Sequence, residues 1–204
     1  IGPAGENRVR FASVISDWRA HGRSGMGAVW GAKKLKAIIV GASDRALEPA
    51  NPLALRDCTR RFAKVAEESG SRFYYGTYGT SGHVNTMNKL GILPTRNFQS
   101  GTFERADEIS GERMKKDTVI LSRSCGTTCQ LKCEKISLVK EGPYAGSLSR
   151  GPEFETLDAL GAQCGIDNLP VLIAAAQACD ELGLDTISAG NAISFAMELS
   201  QRDL

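Results

Sequence analysis

The stretch NLPVLIAAAQACDELGLDTISAGNAISFAMELSQRD, Asn168 to Asp203, decides the fold class. Its apolar residues recur at helical spacing, and it carries stop and start signals in the middle. Asn168 is placed to cap a first helix, and Gly183 lies just past its end, where a left-handed residue closes a helix. Asp185 then caps a second helix, for which Ile187, Ile193, Phe195, Met197 and Leu199 supply an apolar face. Two helices joined by a two-residue corner point to a mainly α-helical unit.

Upstream, GPEFETLDALGAQCG (151–165) reads as another helix, starting near Pro152. NPLALRDCTRRFAKVAEESG (51–70) is a further one, with Asn51 as cap, Pro52 in the first turn and Gly70 as terminator. Between them, residues 71–101 are rich in Gly, Thr and Asn and predict long irregular structure with one short helix near 82–90. The N-terminal part differs. RVRFASVIS (8–16) alternates like a strand, and LKAIIVGAS (35–43) is a β-branched run closed by Gly41. Pro49 and Pro52 mark a linker over 44–52. The expected class is α+β: a short β segment over 1–46, then a mainly helical domain over 47–204.

Composition is that of a globular chain. Among 204 residues, 42% are hydrophobic and 24% charged, and net charge is +2. No long basic block calls for nucleic acid or an anionic membrane. No apolar run reaches membrane-span length, and the N-terminus lacks the pattern of a signal peptide. A cytoplasmic location follows as an expectation. The chain starts without Met, which reads as a piece of a longer protein.

Three of the six cysteines, Cys125, Cys129 and Cys133, crowd into SCGTTCQLKC (124–133). Thiolates are soft ligands, and three at C-x3-C-x3-C spacing suit three corners of a metal site. An iron–sulfur cluster with a distant fourth ligand fits better than zinc, because no second knuckle is present and His21 and His83 are far away. The alternative is a cysteine stripe along a helix, which Gly126, Thr127 and Thr128 disfavour. Cys58, Cys164 and Cys179 read as buried, reduced thiols.

Three further segments carry candidate chemistry. RAHGRSGMGAVWGAKK (19–34) has the composition of an anion-cradling loop, with Arg19, Arg23, Lys33 and Lys34 supplying charge. A glycine-rich turn with solvated charges accounts for it equally well. Glu153 and Glu155 lie two apart in GPEFET, so they do not share a helix face, and two acids in a first helical turn explain them without function. CDELGLD (179–185) reads as a helix end followed by a cap.

Taken in order, IGPAGENRVRFASV, RAHGRSGMGAVWGAKKLKAIIV, GILPTRNFQSGTFE, GPEFETLDALGAQCGIDN and CDELGLDTISAGNAISFAMEL resemble segments of the tungsten- or molybdenum-containing aldehyde ferredoxin oxidoreductases. The resemblance runs along nearly the whole chain. It implies the end of a pterin-binding N-terminal domain over 1–46 and most of a helical second domain over 47–204, with a third domain beyond. It implies a tungsten or molybdenum held by two pterins. Arg19, Ala20, Gly22 and Arg23 (R-A-x-G-R) would contact one pterin, and Asp180, Gly183, Leu184 and Asp185 (D-x-x-G-L-D) the other. Glu155 aligns with the family's glutamate near the metal; a carboxylate shielded by pterin and protein favours its protonated form and can move a proton.

The same resemblance makes Cys125, Cys129 and Cys133 ligands of a [4Fe–4S] cluster whose fourth cysteine lies outside this chain. The usual family spacing is C-x2-C-x3-C, so one extra residue separates Cys125 from Cys129 here. No E-x-x-H, the iron motif of some dimer interfaces, is present; a homodimer without that bridging metal stays compatible. The implied activity is oxidation of a small aldehyde to a carboxylic acid with ferredoxin as acceptor, by the longer protein and not by these 204 residues alone. The alternatives are another carbonyl or aryl substrate on this scaffold, or a metal-binding electron-transfer module without pterin.

Overall fold

The computed structural model describes residues 1–41, 48–126 and 129–204. Helices dominate, with two small antiparallel sheets, which is the expected α+β class. The chain runs α1 (Pro3–Glu6), β1 (Ile15–Ser16), β2 (Arg19–Ala20), α2 (Met26–Ala32), α3 (Pro52–Glu68), α4 (Ser71–Tyr78) and α5 (His83–Lys89). It continues through α6 (Gly111–Asp117), β3 (Val119–Arg123), β4 (Glu134–Leu138), β5 (Leu148–Ser149), α7 (Phe154–Leu160), α8 (Leu169–Leu182) and α9 (Thr186–Gln201).

The α8–α9 corner forms as its caps dictate. The Asn168 side chain accepts from Val171 N, Gly183 closes α8 at φ 76°, and the Asp185 carboxylate accepts from Ile187 N and Ser188 N. The expected apolar face of α9 does not hold. Ile193, Phe195 and Met197 are exposed, and α9 instead buries Ala189, Gly190 and Ser194. The reason is proximity: a Cβ on Gly190 would lie 2.4 Å from the Ala159 carbonyl carbon. Small residues let α7 and α9 approach almost backbone to backbone. The main core gathers around α7 and α8. Leu157, Leu172, Ile173, Ile109, Met114, Val84 and Phe103 are all essentially inaccessible there, each contributing roughly 1.5–3 kcal/mol by leaving water. No helix among the described residues is by itself long and apolar enough to cross a membrane.

Four expectations are corrected. Of 8–16 only Ile15–Ser16 is a strand, plus an isolated bridge from Ala12 to Leu184. Residues 35–41 form no strand, and Ile38, Ile39 and Val40 stay exposed, because no described segment pairs with them. The rest of that expected strand, and the boundary at 46/47, lie outside the described residues. The 71–101 region holds α4 and α5, not one helix. Cys58 is exposed, since α3 turns only Ala66 fully inward, whereas Cys164 and Cys179 are buried as expected. Burial pushes each of those two thiols up to about 11.

What positions the site is the docking of the N-terminal segment on the α8–α9 corner. Ser13 N donates to Gly183 O at 2.8 Å and Asp185 N to Phe11 O at 3.3 Å. The glycine-rich stretch is largely explained by this packing. A Cβ on Gly31 would sit 1.8 Å from Gly5 O, so α1 and α2 can touch only without side chains there.

Candidate functional site

A cavity of about 240 Å³ opens where the β1–β2 hairpin, the segment before α7 and the α8–α9 corner meet. Arg19, Ala20, Gly22, Arg23, Glu155, Asp180, Leu184 and Asp185 all line it. The two motifs read from sequence therefore converge on one cavity, although Arg23 and Asp185 are 162 positions apart. Gly183 supplies the left-handed turn that aims Leu184 and Asp185 inward. Lys33 and Lys34 do not line the cavity.

The charged walls divide into spent and free groups. Asp185 is spent: one oxygen caps α9, and the other accepts from Arg23 Nε at 3.1 Å and Ser188 Oγ at 2.6 Å. It holds the Arg23 guanidinium in place. Glu153 accepts from Arg19 Nη1 at 2.9 Å and from the Thr80 hydroxyl. Burial works against the Arg19 cation, but Glu153 and Glu134 hold its pKa above the ordinary value. Glu155 is free. It is exposed to the cavity and forms no hydrogen bond or ion pair among the described residues.

Asp180 is free as well and largely withdrawn from water, with no hydrogen-bond partner for its carboxylate among the described residues. Burial raises its pKa from 3.8 to about 6, Arg19 and Arg150 opposing the shift in part. A folded pKa above the unfolded one means that folding is penalised as pH rises towards about 6, with no penalty below the ordinary 3.8. Asp180→Asn is therefore expected to melt higher than wild type above about pH 6, the gap closing as pH falls to about 4. Equal melting temperatures across that range would overturn the description of Asp180 as a desolvated, unpartnered acid.

SCGTTCQLKC is the loop of the β3–β4 hairpin, closed by the cross-strand pair Arg123 and Glu134. Cys125 is exposed, while Cys129 and Cys133 are half-buried. Thr127 and Thr128 lie outside the described residues. Ser124 Oγ donates to Cys129 O at 2.7 Å, folding the loop back on itself. Burial raises the Cys133 thiol pKa, and the charges of Glu153, Cys125 and Cys129 act in the same direction. Among the described residues no three His, Cys, Asp or Glu side chains are gathered at metal-binding distance. Three thiols carried on one loop are a donor set suited to thiophilic metals.

The sequence reading missed several cavity residues. Trp18 lines it at the β1–β2 tip, where Asp17 and Trp18 take left-handed backbone. Arg150 lines it from the other side, with its guanidinium on the fully buried Glu134. Burial works against the Glu134 charge, but Arg150 and Arg123 hold its pKa below the usual carboxylate range. Trp18 adjoins Arg19 in sequence and was within reach of motif reading; the pairing of Arg150 with Glu134 leaves no local trace.

A family model described as aldehyde ferredoxin oxidoreductase, N-terminal domain, matches residues 1–42, and one described as aldehyde ferredoxin oxidoreductase, domains 2 and 3, matches 57–204. The chain belongs to the aldehyde ferredoxin oxidoreductase family. Among curated family members, the tungsten-containing aldehyde ferredoxin oxidoreductase of Thermococcus kodakarensis is 42% identical over 203 residues, 99% of this chain and 33% of that protein. The Pyrococcus furiosus protein of the same name is 39% identical over 211 residues, again 99% of this chain and 33% of that protein. The aliphatic sulfonate oxidoreductase, WOR-like subunit, of Pyrococcus furiosus is 34% identical over 206 residues, 100% of this chain and 32% of that protein. The chain thus spans about a third of the length of these relatives.

Proposed function

We propose that this chain supplies part of the catalytic centre of an oxidoreductase converting an aldehyde and water to a carboxylic acid, two electrons and two protons. Residues 1–46 belong on this reading to a pterin-binding N-terminal domain, and 47–204 to a helical second domain. The observation that carries the reading is the convergence of Arg19–Arg23, Glu155 and Asp180–Asp185 on one cavity. A tungsten or molybdenum bis-pterin bound there supplies the two-electron chemistry.

The chain's own residues then have distinct tasks. Arg23, held by Asp185, and Arg19, held by Glu153, offer guanidinium N–H groups to phosphate. The free Asp180 carboxylate accepts from amino and ring N–H groups of a pterin edge. Glu155, without a partner among the described residues and open to solvent, takes up a proton released on oxidation and passes it outward. Cys125, Cys129 and Cys133 would hold three corners of a [4Fe–4S] cluster, which when bound would supply one-electron transfer towards ferredoxin.

Aldehyde is favoured over sulfonate by the higher identity to the relatives named for aldehyde ferredoxin oxidoreduction, 42% against 34%. Metal analysis of the anaerobically purified full-length protein tests the reading. Tungsten or molybdenum with about four irons per polypeptide is the expected result. Zinc alone, with no phosphopterin released on denaturation, would overturn it.

A further inference from the structure

The Arg123–Glu134 pair that closes the cysteine hairpin is half of a larger arrangement. Glu134 is fully buried, and both its oxygens are engaged. Oε2 accepts from Arg123 Nε at 2.8 Å, and Oε1 accepts from Arg150 Nε. Arg150 Nη1 then donates to both the backbone carbonyl and the carboxylate of Asp17. Arg123 Nη2 lies 3.6 Å from the same Asp17 carboxylate. The result is a closed ring of alternating charge, Asp17–Arg150–Glu134–Arg123.

The ring joins two elements that share no sheet. Arg123 and Glu134 are the last rung before the cysteine loop, and Asp17 is the tip of the β1–β2 hairpin. A hairpin rung needs only its own two charges. The extension to Asp17 does something else: it holds a turn whose two central residues, at φ 50° and 61°, are not glycine. The next residues along that turn, Trp18 and Arg19, line the cavity. Arg19 leans on the ring too, with Nε 3.9 Å from Glu134 and Nη1 3.4 Å from Arg150 O. Buried ionic groups are poor sources of stability compared with apolar packing, and fixing register is their best-attested use.

We propose that the Asp17–Arg150–Glu134–Arg123 ring is a positioning device that fixes the cysteine hairpin relative to the cavity, so that both parts of the site hold one geometry. Its link to redox chemistry rests on the function proposed above; the mechanical coupling does not. Asp17, Glu134 and Arg123 do not line the cavity and act through other groups, while Arg150 is also part of its wall.

The test is hydrogen–deuterium exchange on the full-length protein carrying Glu134→Gln or Asp17→Asn. Glu134→Gln is expected to speed exchange at residues 15–20 as well as at its own hairpin, by at least about fivefold. Asp17→Asn changes a carboxylate that is 82% exposed, so folding is not at risk; it is expected to speed exchange across 123–134. In metal-loaded protein, Glu134→Gln removes a negative charge next to Cys133, so the cluster midpoint potential is expected to move positive with iron content unchanged. Exchange changes confined to the substituted hairpin in both variants would overturn the proposal. If Glu134→Gln does not fold, Asp17→Asn decides alone. Exchange reads the ring without metal, so protein devoid of tungsten, molybdenum and iron would sink the functional reading and leave the ring standing.

Discussion

Replacing Cys133 by alanine in the full-length protein is expected to remove most of its broad visible absorbance and to lower its iron content below about four per polypeptide, since an iron left without its thiolate is the labile corner of a cubane. Cys133 sits at the base of the hairpin loop, half-buried and one residue before the anchored Glu134. The chain contains its own controls. Cys58 is exposed on α3, outside the cysteine loop in sequence, and Cys58→Ala is expected to leave the spectrum unchanged. Cys164 and Cys179, pushed up to about 11, stay protonated at neutral pH and offer no thiolate. Wild-type absorbance in Cys133→Ala would remove the hairpin from the list of cluster ligands.

The second large effect is expected at Glu155. Glu155→Gln should lower kcat by roughly 10²–10⁴, the usual contribution of a positioned acid or base, while tungsten, molybdenum and iron contents stay at wild-type levels. The contrast with Glu153 sharpens the case. Glu153 reaches the same cavity but is committed to Arg19 and Thr80, whereas Glu155 has no partner among the described residues and faces solvent. A proton carrier needs that freedom; a structural acid does not have it. Turnover unchanged in Glu155→Gln would return Glu155 to the role of an acid in the first turn of α7, where the helix dipole favours one.

Helices whose ends are written in side chains were legible in the sequence. Asn51, Asn168 and Asp185 cap α3, α8 and α9, and Gly183 ends α8, because capping is a matter of a few adjacent residues. Structure that depends on distant partners was not. The α4 carbonyls of Tyr75 and Gly76 are taken up by the Lys135 ammonium, about 60 positions downstream, so a Gly- and Thr-containing segment is held as helix by a contact that periodicity does not encode. Ile38, Ile39 and Val40 show the converse: β-branched residues describe a surface suited to a sheet, and strand formation still requires a neighbour to pair with. The site divides along the same line. The cysteine loop could be read from its spacing, and the two motifs from the family resemblance. The ring at Glu134, and the contrast between Glu153 and Glu155, arise only from tertiary placement.

The contact of Gly190 with Ala159 has a consequence for redesign. The helices bearing Glu155 and Asp185 meet through atoms that leave no room for a methyl group, so that wall of the cavity cannot be reshaped by exchanging side chains at the seam; any enlargement would pry the two helices apart. The opposite wall is pliable by comparison. Trp18 is 44% exposed at the tip of a two-residue turn, and its side chain can be trimmed without disturbing a packed interior. A library intended to widen the cavity should therefore diversify Trp18 and leave α7 and α9 untouched.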